Sequence, residues 1–226
     1  MNILDTSNPS IKTMDTAQQS AIFDSFLDLV KAPYGDFSGV AKLSQQLNDN
    51  STLQELVNFL RQTPQGERAF KERPLLGHLD LSQLHQLPKN TLGYLYSDHM
   101  LKNNLKPIPV NKIEGSDSSY LNIHIAETHD IWHIVTGCGI DKPGEVKVEA
   151  FYVAQLLYRD RLFLSLLSKN LLKTAIEEIE LCEVIMDALT EGWIMGKKAK
   201  PLFGIEWNSL WEKPLEDIRM SLDIPV

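Results

Sequence analysis

Thr128-His129-Asp130-Ile131-Trp132-His133, followed after eleven residues by Glu145, is the stretch from which the rest of the chain can be read. His129 and His133 stand four apart, so on a helix they stack on one face about one turn from each other. Asp130, three before His133, lies on an adjoining line. Gly137-Cys138-Gly139 then stops the helix, and Lys142-Pro143 gives a fresh start that places Glu145 in the first turn of the next one. In an antiparallel helical hairpin, a residue one turn before the bend and one a turn after it lie level, which brings Glu145 to His133. Around the histidines, Ile123, Ile125, Ala126, Ile131, Trp132, Ile134 and Val135 leave almost no polar side. A helix apolar all round is a buried one.

Two imidazoles and two carboxylates form a nitrogen and oxygen donor set that suits zinc or iron. Buried ionisable groups need partners, and a shared cation is one that serves several at once. The expected metal residues are therefore His129, Asp130, His133 and Glu145. Asp130 can instead fix a histidine tautomer from outside, leaving three ligands plus water. The bare His-Asp-x-x-His pattern is weakly specific by itself, and an ordinary helix cap would also put a Glu near position 145.

The composition bounds the partners. The chain has 226 residues, 43% hydrophobic and 23% charged, the profile of a globular protein of one large domain or at most two. Twenty-two Lys and Arg stand against thirty Asp and Glu, a net charge of −8, with no basic run that would track a phosphate backbone. Nucleic acid is not an expected partner. Charges such as Arg159, Asp160 and Arg161 interrupt the apolar tracts, so no membrane span is expected. Two cysteines, Cys138 and Cys182, imply a reducing compartment. Residues 1–20 have neither signal-peptide nor Arg-rich transit character, so the expected location is a bacterial cytoplasm or the cytoplasmic face of its membrane.

Taken in order, residues 1–14 read as a loosely ordered leader and residues 15–226 as one all-helical domain. Asp15 or Thr16 caps a first helix ended by Pro33, Val40 to Leu47 carry a second, and Ser51 with Gln54 opens a third. Thr63-Pro64 starts another, Leu79 to Leu87 forms a short one, and Asn90 or Thr91 caps the next to about Asn103. Ser118-Ser119 begins the helix of His129 and His133. Beyond Pro143, an apolar tract from Phe151 to Leu172 is expected to split near Lys169-Asn170, with a last long helix over Ala175 to Lys198. No run alternates with period two, so the expected fold is an all-α, single-domain multi-helix bundle around a metal-binding hairpin.

Further motifs surround the hairpin. Thr136-Gly137 and Asp141-x-x-Gly144-Glu145 flank it, Leu87-Pro88-x-x-Thr91-Leu92-Gly93 precedes it, and Glu191-Gly192-Trp193 and Pro201-Leu202-Phe203-Gly204-x-x-Trp207 follow. Together with His129, Asp130, His133 and Glu145 they resemble the coenzyme Q (ubiquinone) biosynthesis protein 4 family, over approximately residues 80–225. The resemblance implies an all-helical protein of ubiquinone synthesis that binds a divalent metal, usually taken as zinc, through the signature residues; iron in the same ligand set is the alternative. It implies a part in removing the ring carboxylate of a polyprenylated hydroxymethoxybenzoate and hydroxylating that carbon, and association with other quinone-biosynthesis enzymes at a membrane surface. A prenylated quinone precursor or other prenyl lipid is the expected ligand, its tail in an apolar groove near Phe151 to Leu172. Lys197, Lys198 and Lys200 could meet an anionic end of it, or simply finish a helix. A homodimer is also expected.

Two other functions compete. An HD-type metal-dependent phosphohydrolase would need a further His, from His78, His85 or His99, and an Asp such as Asp160 or Asp187. A non-catalytic prenyl-lipid-binding scaffold would use the metal only to pin the hairpin.

Overall fold

The structure, a computed structural model, describes residues 15–33, 39–47, 50–108, 110, 115–156 and 160–225. The expected leader at residues 1–14 lies outside them. Among the described residues there are eleven α-helices and no strand. The first four are α1 (Thr16–Lys31), α2 (Val40–Leu47), α3 (Asn50–Leu60) and α4 (Pro64–Glu72). Then come α5 (Leu81–Leu84), α6 (Leu92–Lys102), α7 (Asp117–Thr136) and α8 (Lys142–Gln155), and finally α9 (Arg161–Glu177), α10 (Cys182–Lys198) and α11 (Leu215–Ser221).

Capping chemistry accounts for most of the boundaries. Asp15 opens α1 with a reciprocal capping box to Gln18, Thr63 Oγ1 accepts the Gly66 N–H ahead of Pro64 in α4, and Thr91 caps α6. Several expectations need correction. Helix α3 already includes Asn50, so Ser51 lies inside it. The Leu79 to Leu87 helix shrinks to α5, because Asp80 caps at Ser82 and Gln83 and the chain then tightens into i→i+3 turns at Gln86 and Leu87. Helix α7 starts at Asp117 with Ser116 as its cap, two residues before Ser118-Ser119. The apolar tract does not split at Lys169-Asn170; α9 runs through both.

That last difference has a packing reason. Lys169, Asn170, Lys173 and Thr174 are buried on α9. Asn170 Nδ2 donates to Glu149 Oε2 on α8 at 2.9 Å, and Lys173 Nζ donates to the carbonyls of Val30 and Ala32 at 3.1 and 3.3 Å, closing the end of α1. Polar residues that read as an interruption are the groups by which α9 grips its neighbours. The real breaks fall before Asp160, which caps α9 at Leu162, and at Glu178, which pairs with Lys142 at the start of α8 and is followed by a 3₁₀ turn over Ile179–Leu181. The expected helix over Ala175 to Lys198 is therefore in two pieces.

Helix α7 runs through the core, with Tyr120, Leu121, Ile131, Trp132 and Val135 buried. Trp132 stacks on Tyr152 of α8 (centroids 4.1 Å apart), and Tyr152 stacks on Phe163 of α9 (4.0 Å). One column of rings thus ties the hairpin to the helix that follows it. On the other side, α8 meets α10 so closely that a Cβ on Gly192 would sit 2.0 Å from the Lys147 carbonyl oxygen and one on Gly196 2.7 Å from that of Phe151. Among the described residues no helix is long and apolar enough to cross a membrane.

Candidate metal centre

The sequence builds the hairpin bend residue by residue. Gly137 closes α7 in the left-handed region (φ 69°), where a side chain is disfavoured, and the Cys138 N–H returns to the His133 carbonyl at 3.0 Å. Arg219 of α11 donates from Nε and Nη2 to the carbonyls of Val135 and Ile134 (2.8 and 2.9 Å), the latter also accepting the Gly137 N–H, and so ties down the last turn of α7. Asp141 then caps α8 through the Gly144 N–H, with Pro143 in the first turn, and Glu145 follows at once. These local choices hold the three donor residues together.

His129 Nε2 and His133 Nε2 are 3.1 Å apart, and Glu145 Oε1 is 3.7 Å from His133 Nε2. One ligand atom from each of His129, His133 and Glu145 falls within 4.8 Å of the others, and among the described residues this is the group that could hold a metal ion. Two nitrogens about 2.0–2.1 Å from one tetrahedral ion would be about 3.3 Å apart, so the observed spacing fits a shared cation. Tautomers support the fit. His133 Nδ1 lies 3.2 Å from the Cys138 carbonyl, which can only accept, so the ring proton sits on Nδ1 and Nε2 presents a bare lone pair.

Electrostatics favour neutral imidazoles. Burial, reinforced by the neighbouring His133, pushes His129 down to about 4. Burial also lowers His133, partly offset by the Cys138 carbonyl. Glu145 is raised to about 7 by burial and by the charge of Asp130. At neutral pH the histidines therefore need no deprotonation to act as ligands, whereas Glu145 would release a proton on binding a cation.

Asp130 is close by but faces elsewhere: its Oδ1 lies 3.9 Å from His99 Nε2 on α6. Burial alone would raise its carboxyl, but the His99, His129 and His133 rings outweigh that and hold it below the usual range. Of the other residues an HD-type site would draw on, His78 is exposed, His85 stacks on Tyr94 and contacts Ser97, Asp160 caps α9 and Asp187 is exposed. His99 comes near the hairpin site, through Asp130. Of the lysines expected to meet an anion, Lys197 and Lys198 finish α10, with Lys197 over the Trp193 ring, and Lys200, beyond the helix, bonds the Ser221 carbonyl.

Tyr152 is a site residue that sequence reasoning passed over. Its hydroxyl lies 3.4 Å from His129 Nδ1, and burial holds its pKa well above the usual value, so it keeps its proton. Its spacing was a usable signal, since Tyr152 is seven residues, two helical turns, after Glu145. Glu149, one turn after Glu145, was also missed. Burial raises it to about 8, opposed by the Asn170 amide. Because the folded value is above the ordinary one, the protonated acid is the stabilising form. Its contribution is complete below about pH 4.5 and is lost as pH rises toward 8. Glu149→Gln is therefore expected to flatten the fall in stability between pH 5 and 8, by at most about 1.4 kcal/mol per pH unit. Urea unfolding of metal-free wild type and variant across that range checks it; parallel curves would contradict it.

By fold and site, then, the chain is an all-helical protein with a His, His and carboxylate cluster, His133 buried and His129 and Glu145 half-buried, across one helical hairpin. Residues 11–226 match the family model described as coenzyme Q (ubiquinone) biosynthesis protein Coq4, and the chain belongs to that family. The match takes in the N-terminal third, where sequence reading placed no motif. Among similar proteins is the ubiquinone biosynthesis protein COQ4 homolog, mitochondrial, of Anopheles gambiae, 27% identical over 181 residues that cover 76% of this chain and 61% of the relative. The COQ4 protein of Eremothecium gossypii is 29% identical over 190 residues, 80% of this chain and 58% of its own length. This chain thus spans between half and two thirds of such relatives. A crystal structure of a Nostoc punctiforme PCC 73102 protein, provisionally described as a ubiquinone biosynthesis protein, superposes with a TM-score of 0.80 at 26% identity, covering 92% of this chain and 97% of that one.

Proposed function

We propose that His129, His133 and Glu145 bind one divalent ion, zinc or iron, and that the chain acts in removing the ring carboxylate of a polyprenylated hydroxymethoxybenzoate in ubiquinone synthesis. The observation that carries this reading is the convergence of His129 Nε2, His133 Nε2 and Glu145 Oε1 from two helices in a chain of this family. A bound ion would supply Lewis acidity, steadying negative charge on a phenolate or carboxylate oxygen.

The protein's own groups prepare that site. The Cys138 carbonyl keeps the His133 proton on Nδ1, and the Tyr152 hydroxyl can either donate to His129 Nδ1 or accept from it. Without a cation, Tyr152 O–H donates to His129 Nδ1 and His129 Nε2–H to His133 Nε2; with one, His129 would carry its proton on Nδ1 and donate to Tyr152. Neither state requires a ring to move. Asp130, turned toward His99, suits an outer position better than a ligand position. The stacked Trp132, Tyr152 and Phe163 keep water from that flank. Phe151, Phe163 and Leu166 are committed to the core, so the apolar surface left for a prenyl tail or a membrane surface is the exposed stripe of Leu164, Leu172 and Ile176 along α9.

The test is carbon dioxide release from the prenylated substrate by metal-loaded protein. Wild type is expected to turn over, and Glu145→Gln to lose about a hundredfold or more while remaining folded. Equal release by the two, or none from loaded wild type, would overturn the reading.

A further inference from the structure

Helix α6 sets His99 beside Asp130, the residue of the His-Asp-x-x-His stretch that stays outside the metal cluster. Asn103 fixes the tautomer of the His99 ring. Its Nδ2 donates to the His99 carbonyl at 2.9 Å, which settles the orientation of the amide, and lies 3.5 Å from His99 Nδ1. An amide nitrogen only donates, so Nδ1 accepts and the ring proton sits on Nε2. That Nε2–H is buried, with no partner at hydrogen-bond distance. Nothing the size of a water molecule reaches it, so a group that answers it must belong to the protein. Asp130 Oδ1 is 3.9 Å away, beyond hydrogen-bond length but close enough for the carboxylate and the N–H to attract.

Asp130 has a second group to answer. It stands three residues before His133, about 4.5 Å along α7 and about 60° round it, the spacing at which side chains on a helix meet. From its own helix it therefore has the reach to join an ion. Among the described residues, however, the ligand atoms that lie within 4.8 Å of one another are those of His129, His133 and Glu145, without Asp130. Three protein ligands on a tetrahedral ion leave one position for water or a substrate oxygen, and a fourth would close it. Turning Asp130 to the ion would also leave the buried His99 N–H with no acceptor beside it, which is unfavourable. We propose that His99 is a positioning residue: it draws the Asp130 carboxylate toward α6, so that the site of His129, His133 and Glu145 keeps a coordination position open for the substrate. This inference rests on the metal reading of the hairpin given above.

Cobalt(II) is the probe, because its visible spectrum follows the number of its ligands. Azide added to the cobalt-loaded full chain is expected to shift the wild-type spectrum by taking the open position. In His99→Phe, which keeps a ring and removes the N–H, Asp130 turns to the ion. The azide response should then be lost and cobalt should bind about tenfold or more tighter, whereas a merely structural loss beside the site would weaken binding. His99→Gln, which returns an N–H donor, should keep the azide response, and adding Asp130→Ala to His99→Phe should restore it. Asp130→Ala by itself decides the matter even where His99→Phe does not fold. It should leave the azide response in place and lower cobalt affinity by less than the roughly tenfold that loss of a ligand's outer partner costs. Wild-type cobalt protein that ignores azide, or a loss of about tenfold or more in Asp130→Ala, would make Asp130 a ligand. Either result would overturn the proposal and leave the metal reading standing. An unchanged azide response in folded His99→Phe would overturn it too. Failure of the wild type to bind cobalt is a different result, which removes the metal reading and this inference with it.

Discussion

Gly192→Val is expected to destabilise the protein by about 3 kcal/mol or more, a large part of the 5–15 kcal/mol that holds a typical domain folded. The reason is the contact between α10 and α8. Even one methyl at Gly192 would sit 2.0 Å from the Lys147 carbonyl oxygen, a backbone atom that cannot swing aside. The two helices would have to separate, and Val146, Ala150, Ile185 and Ala188, buried between α8 and α10, would lose their packing. The effect should also reach the candidate metal site, since Glu145 and Tyr152 are both on α8. Denaturant midpoints compare this variant with Val184→Ala, an exposed position on the same helix that should cost little. A Gly192→Val midpoint within about 0.5 kcal/mol of wild type would show that the helices are not in such close contact.

His133→Ala is expected to weaken divalent-metal binding by about a hundredfold or more, the lower limit being what loss of an outer partner alone can cost. His133 contributes the nitrogen nearest both other donors, 3.1 Å from His129 Nε2 and 3.7 Å from Glu145 Oε1. Removing it leaves one imidazole and one carboxylate, too few for a tight zinc site. Zinc at a hundred times its dissociation constant should stabilise wild type by about 2.7 kcal/mol and the variant hardly at all. Chelator competition and thermal melts with and without zinc measure both effects. Stoichiometric metal retained in the variant at wild-type affinity would rule out His133 as a ligand.

The hairpin was legible in the sequence because each of its parts has a local cause. Gly137 stops α7, Asp141 and Pro143 start α8, and the 3.6-residue repeat puts His129 and His133 on one face. What stayed hidden depended on neighbours distant in the chain. Lys169 and Asn170 look like solvent-facing residues until Glu149 is placed beside them, and no local rule says that Lys173 will close the end of α1. The direction of Asp130 was open for the same reason, since the residue it faces, His99, is on another helix. Tyr152 was hidden differently: its spacing from Glu145 was visible, but an apolar tract makes a tyrosine read as packing. It does pack, between Trp132 and Phe163, and its hydroxyl reaches His129 as well.

The most direct test of the metal assignment is anomalous diffraction from crystals of the zinc-loaded protein, recorded on either side of the zinc absorption edge. One peak per chain is expected, about 2.0–2.2 Å from His129 Nε2, His133 Nε2 and a Glu145 carboxylate oxygen. Loaded crystals with no peak at this hairpin, or with the ion held by other residues while His129 and His133 keep their hydrogen bond to each other, would contradict it.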